Sequence, residues 1–251
     1  MRPLRRGSRY KRTAWIETVI TIGEGFERVP EESMPGFEQA FGALRQFTRS
    51  RGTTSKAVEF CELCSMGLII DHPHLVELST RRILCACDAC AMLFDAMEKS
   101  RYRRVPRDSQ YLANFEMTDG QWENLLIPIN MAFFFRSSVE DRIVVLYPSP
   151  AGAVESLLPL EAWTDITENN PILRGLRPDI EALLVNRVGH AHGLSKADYF
   201  IAPIDECYKL VGLIRSNWKG LSGGTEVWSE IGRFFAELKA RSELVSGGTN
   251  A

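Results

Sequence analysis

INMAFFFRSSVEDRIVVLYPS, residues 129–149, holds two apolar runs of strand length on either side of the polar SSVED. Aromatic and β-branched residues dominate both runs and the polar residues between them suit a turn, so the stretch predicts a β-hairpin. Moving outward, EALLVNRV (181–188) and DYFIAPI (198–204) form a second such pair around GHAHGLSKA. PLEAWTDITENN (159–170), between the pairs, predicts a helix, with Pro159 near its start and Pro171 beyond its end. Strand pairs mixed with helices, without a regular strand–helix–strand alternation, predict an α+β domain with a mixed, mainly antiparallel sheet.

Further toward the C-terminus, IDECYKLVGLIRSNW (204–218) and TEVWSEIGRFFAELKARS (225–242) predict two amphipathic helices joined by KGLSGG. KGLSGG follows a helix and lacks the Lys-Ser/Thr ending of a phosphate loop, so it is read as a helix-to-helix turn that uses Gly223 and Gly224. In the other direction, RYRRVPRD (101–108) is a charged connector broken by Pro106, which has no backbone donor and biases Val105 away from helix. A domain boundary is expected there. MPGFEQAFGALRQFTRS (34–50) spaces Phe37, Phe41, Leu44 and Phe47 as a helix does, and RGTTSK reads as a linker. The expected organisation is a disordered or weakly ordered basic arm at 1–35, a helix plus zinc-ribbon module at 36–106, the α+β domain at 107–244 and a disordered tail at 245–251.

Composition restricts the classes of function. The chain of 251 residues is 45% hydrophobic and 25% charged. At that length roughly 70–75% of the unfolded surface is buried on folding, so a core needs no disulfide support. The net charge of −2 lacks the broad basic footprint of a nucleic-acid binder. MRPLRRGSRYKR is basic, but Glu17 and further charged clusters replace the apolar run that an export signal needs. No stretch offers the roughly 18 apolar residues of a membrane span. A cytoplasmic, reducing location is expected, where clustered cysteines indicate metal more than disulfides.

Five of the six cysteines fall within residues 61–90, CELCSMGLIIDHPHLVELSTRRILCACDAC. Cys61 and Cys64 form one C-x2-C, and Cys87 and Cys90 form another. Two such pairs suit a zinc ribbon, because each can turn back as a knuckle and aim two thiolates at one ion. Iron bound as in rubredoxin is the alternative; that site usually has Gly after each second cysteine, where this chain has Ser65 and Ala91. Cys85 is a surplus thiol which, if RILCAC is a strand, shares a face with Cys87 and could replace it or lie beside it. His72 and His74 fall inside the ribbon and could serve as extra or supporting ligands.

Other candidates carry less. His190 and His192 make a bare H-x-H in a glycine-bounded loop. Cys207, Leu210, Val211 and Ile214 follow i, i+3, i+4, i+7, so Cys207 is read as core. Glu161 with Asp165, and Asp179 with Glu181, are carboxylate pairs read as solvated charges. No nucleophile, base and orienting group occur together, so no catalytic residue is predicted.

The ordered string CELC, HPHL, RILCACDAC, RYRRVP, AFFF, YPSPAGAVES, EALLVNR, PIDECYKLVGLIR, WKGLSGG and FFAELKARS resembles an uncharacterised bacterial family. That family is encoded beside actinobacterial-type, high-affinity nickel–iron hydrogenases. The resemblance covers about residues 40–243, with GHAHGL a local departure and the basic arm outside it. It implies a hydrogenase context, with hydrogenase subunits or other maturation proteins as partners; joined to the closed four-cysteine site and the missing catalytic constellation, it gives the expectation of a non-catalytic, metal-binding accessory protein acting in assembly or docking. The alternative it leaves open is an iron electron carrier serving the same system.

Overall fold

Five consecutive residues, Met131–Phe135, are all buried, which requires a strand covered on both faces. The computed structural model describes residues 59–97, 100–157, 160–190, 196–220 and 222–245, all belonging to one unit, Lys56–Ala251. The expected helix at 34–50, the basic arm and His192 lie outside the described residues.

In chain order the elements are β1 (His74–Glu77), β2 (Arg82–Cys85), α1 (Asp88–Asp95), β3 (Tyr102–Arg104), β4 (Gln110–Leu112), α2 (Asp119–Asn124), β5 (Met131–Ser137), β6 (Arg142–Ser149) and β7 (Gly152–Ser156). Then come α3 (Leu160–Asn169), a 3-10 turn at Pro171–Gly175, β8 (Glu181–Asn186), β9 (Asp198–Pro203), α4 (Ile204–Asn217), α5 (Gly224–Arg241) and β10 (Glu243–Val245). The protein is α+β. A seven-stranded sheet runs β10-β4-β9-β8-β5-β6-β7, antiparallel throughout except for the parallel pair β10–β4. A separate antiparallel sheet has the order β2-β1-β3.

Both expected hairpins form: β5 pairs with β6 with Phe133 opposite Leu146, and β8 pairs with β9 with Leu184 opposite Phe200. Alternation splits their side chains between two cores. Phe133, Leu184 and Phe200 pack against Cys207, Leu210 and Ile214 of α4 and Phe234, Phe235 and Leu238 of α5. Phe134, Leu183 and Tyr199 face the other way, toward Trp122 of α2 and Ala162 and Ile166 of α3. Helices on both sides explain why β5 and β8 are apolar throughout, each fully buried side chain adding roughly 1.5–3 kcal/mol of transfer free energy.

The turn before α5 is as expected. Gly223 sits at φ 85°, and a Cβ there would meet Val227 Cγ1 at 2.8 Å and the Trp218 ring at 3.0 Å. Only glycine fits that approach without displacing core.

The small sheet has two faces of different use. Leu75 and Leu84, opposite each other, pack with Cys61, Cys87, Ala91 and Tyr102. Val76, with Val105 from the connector, joins the main core beneath α4 and α5, and Ile83 packs against it. At the β1–β2 turn, Arg81 pairs with Glu140 and with Glu155 at 3.1 Å, tying the hairpin tip to the larger sheet.

Candidate metal centre

Cys61 and Cys64 lie in a tight turn closed by Cys61 N–H to Met66 O at 2.8 Å and Ser65 N–H to Cys61 O at 2.8 Å. Ser65 takes the left-handed conformation, φ 61°, that a glycine would adopt more cheaply. Glu62, between the two cysteines, joins this knuckle to β2: its N–H donates to Cys85 O at 2.9 Å, its carboxylate accepts from Cys85 N–H at 3.0 Å, and it pairs with Arg82.

The second pair departs from the expected second knuckle. Cys87 is the N-cap of α1, its sulfur accepting from Cys90 N–H at 3.5 Å, and Cys90 lies in the first helical turn. Ala91 needs no glycine because it is an ordinary helical residue, wholly buried. A helix N-terminus carries positive dipole and free N–H groups, both of which favour thiolates.

The four sulfurs converge. One sulfur from each of Cys61, Cys64, Cys87 and Cys90 lies within 4.8 Å of the other three, with Cys64 Sγ 3.6 Å from Cys87 Sγ. A tetrahedron with metal–sulfur bonds of about 2.3 Å has edges of about 3.8 Å, so this set suits a four-coordinate ion. The four thiols perturb one another's protonation in opposite directions. At Cys61 burial acts to raise the pKa but is outweighed by N–H donors from Cys87, Leu63 and Cys64, which bring it down to about 6. Burial and the neighbouring sulfurs push Cys90 up to about 12. A cation held by all four would stabilise their thiolates together.

Cys85 is not among the four converging sulfurs. β2 ends at Cys85 and the chain turns through Ala86, whose N–H reaches Pro73 O at 3.0 Å, so the same-face relation of the two residues is broken. Cys85 instead stands directly opposite His74 in the β1–β2 register, and His72, His74 and Cys85 bring one ligand atom each within 4.8 Å of the others. His74 Nδ1 is 2.7 Å from Asp205 Oδ2, and that hydrogen bond raises the imidazole pKa against the opposing effect of burial. Sequence reading missed Asp205: it lies 131 residues away, and no local pattern marks it.

The remaining candidates are structural. Cys207 is fully buried on α4, where burial pushes its thiol pKa far up. Asp179 and Glu181 are not solvated as expected but 5% and 9% exposed. Asp179 Oδ1 accepts from Ser138 N–H at 2.9 Å, and Glu181 accepts from Arg177 N–H at 2.9 Å, so both fasten turns. Asp165 is exposed on α3. His190 Nε2 is 3.3 Å from Asp119, which also pairs with the buried Arg187.

Residues 60–242 match the model of a family of unknown function, DUF5947. The chain belongs to this family. The DUF5947 match begins one residue before Cys61 and ends at the close of α5, so it takes in both groups of candidate ligands and every described strand except β10. No curated protein and no solved structure matches the chain.

Proposed function

We propose that Cys61, Cys64, Cys87 and Cys90 hold one structural Zn²⁺, and that the protein is a non-catalytic accessory factor that docks onto, or helps assemble, a nickel–iron hydrogenase. The observation that carries the metal reading is the convergence of four sulfurs from a knuckle and a helix N-terminus. Four thiolates fill a tetrahedral zinc site and leave no position for substrate, so the ion's part is to order the chain. Iron bound as in rubredoxin is the second reading, kept open because Ser65 takes the left-handed turn that the glycine of such a site would take. It is weakened by the second pair, which opens a helix where that reading needs another knuckle.

The docking reading rests on the motif resemblance and on the surface around the metal module. Phe60, Met66, Ile69 and Ile70 on the knuckle side, and Met92 and Leu93 on α1, are each more than half exposed. This apolar exposure supports an interaction surface there. No helix among the described residues is long and apolar enough to cross a membrane. The reading places the protein in the cytoplasm with hydrogenase subunits or maturation proteins as partners.

Deleting the gene tests it. The amount of mature, active hydrogenase should fall without a change in transcription of its structural genes. Complementation with a Cys87→Ser, Cys90→Ser double variant should fail, and with Cys207→Ala should succeed. Normal hydrogen uptake in the deletion strain, where the enzyme is needed, would contradict the accessory role.

A further inference from the structure

The four-cysteine set and the His72, His74, Cys85 set use opposite faces of the small sheet. Cys61 and Cys87 pack with Leu75 and Leu84. His74 shares strand parity with Val76, and Cys85 with Ile83, the residues turned toward the main core. The trio is therefore not a reserve of spare ligands for the first ion.

Its internal arrangement is that of a prepared ligand set. His72 Nδ1 is 2.8 Å from Ile69 O, and His74 Nδ1 is 2.7 Å from Asp205 Oδ2. Each acceptor holds the proton on Nδ1 and leaves the Nε2 lone pair free, the arrangement by which metal-binding imidazoles are oriented. Asp205 is itself fixed, because its other carboxylate oxygen accepts from Glu206 N–H at 2.9 Å. His72 supplies an independent sign. Its side chain is only 6% exposed, and its Nε2 is buried with no hydrogen-bond partner. Glu59 Oε2 is 3.5 Å away but outside hydrogen-bond geometry. A His74–Asp205 pair alone accounts for His74 and leaves that buried nitrogen unexplained, whereas burying an unpaired polar atom is costly.

We propose that His72 and His74 through Nε2, and Cys85 through its thiolate, form a second, exchangeable site for a borderline divalent transition-metal ion of the Zn²⁺, Co²⁺, Ni²⁺ class. Two imidazoles and one thiolate suit such ions, and oxygen-preferring Mg²⁺ or Ca²⁺ does not fit them. Three protein ligands leave a fourth position open to water or an exchanging ligand, unlike the closed four-thiolate site. Asp205 acts as a positioning residue. This inference does not depend on the hydrogenase reading.

The test uses the full chain with zinc in the four-cysteine site, titrated with Co²⁺ under reducing conditions. One equivalent of Co²⁺ should bind without releasing the zinc, with a thiolate-to-cobalt charge-transfer band, and dialysis against a chelator should remove it while the zinc stays. Cys85→Ala should abolish that band and leave the zinc content unchanged. Asp205→Asn should weaken Co²⁺ binding about 10–100-fold while keeping the band, as loss of an outer partner does. A wild-type protein that takes up no cobalt beyond its zinc would overturn the proposal. So would a band that persists in Cys85→Ala, or cobalt that enters only by displacing zinc.

Discussion

Cys61 shows how one residue couples the metal module to pH. In the metal-free protein its folded pKa of about 6 lies below its ordinary 9.0, because backbone N–H groups favour the thiolate more than burial opposes it. A group with a depressed folded pKa contributes stability that is present above the unfolded value and is lost as pH falls through the folded one. Cys61→Ser should therefore lower the urea midpoint of metal-free protein more at pH 9 than at pH 5.5. Denaturation curves of both proteins at the two pH values check this, and an equal loss at both would contradict it. The convergence of the four candidate ligands could be read from their paired C-x2-C spacing, because one turn brings two thiols together whatever lies around them. The fate of Cys85 could not be read. The two-residue rule relating it to Cys87 fails once the strand ends, and the end is set by Ala86 bonding to Pro73 and by α1 beginning at Cys87, neither of which leaves a periodic mark.

Among the elements, the knuckle, the β1–β2 hairpin and α1 share a small apolar cluster of their own, built on Leu75, Leu84, Ala91 and Tyr102. The large sheet carries two extensive cores that Cys61, Cys64, Cys87 and Cys90 do not enter. Metal binding is expected to contribute much of the order in residues 59–97, since thiolate coordination in small hosts is worth roughly 10–16 kcal/mol. Removing the metal, or replacing Cys61 by Ser, should raise amide hydrogen exchange across that segment, with β5, β8 and α5 still protected. Val76 and Val105 sit in the main core, so the larger domain should lose some stability as well. Simultaneous loss of protection in both regions would argue against the division near residue 106. Elements with long apolar runs, such as β5 and β8, were legible from sequence. β4 and β10 were not, because three residues give no period to detect and their pairing joins segments 133 positions apart (Gln110 with Glu243). The α2 start was signalled and passed over: Thr118 and Gln121 form a capping box.

At the scale of the whole molecule, one layer of strands with helices on both faces supports a small sheet that presents a cysteine cluster on one face and a histidine–cysteine set on the other. Composition and spacing carried the α+β class and the cysteine cluster. They could not carry the second face, because it depends on Asp205 arriving from the start of α4. Cys61, Cys64, Cys87 and Cys90 are proposed to hold one zinc ion tightly. Native mass spectrometry with elemental analysis, on full-length protein purified under reducing conditions and washed with chelator, tests it most directly. One zinc per chain should remain in the wild type and none in the Cys87→Ser, Cys90→Ser variant; a metal-free wild type, or stoichiometric iron with a visible band that bleaches on reduction, would contradict it.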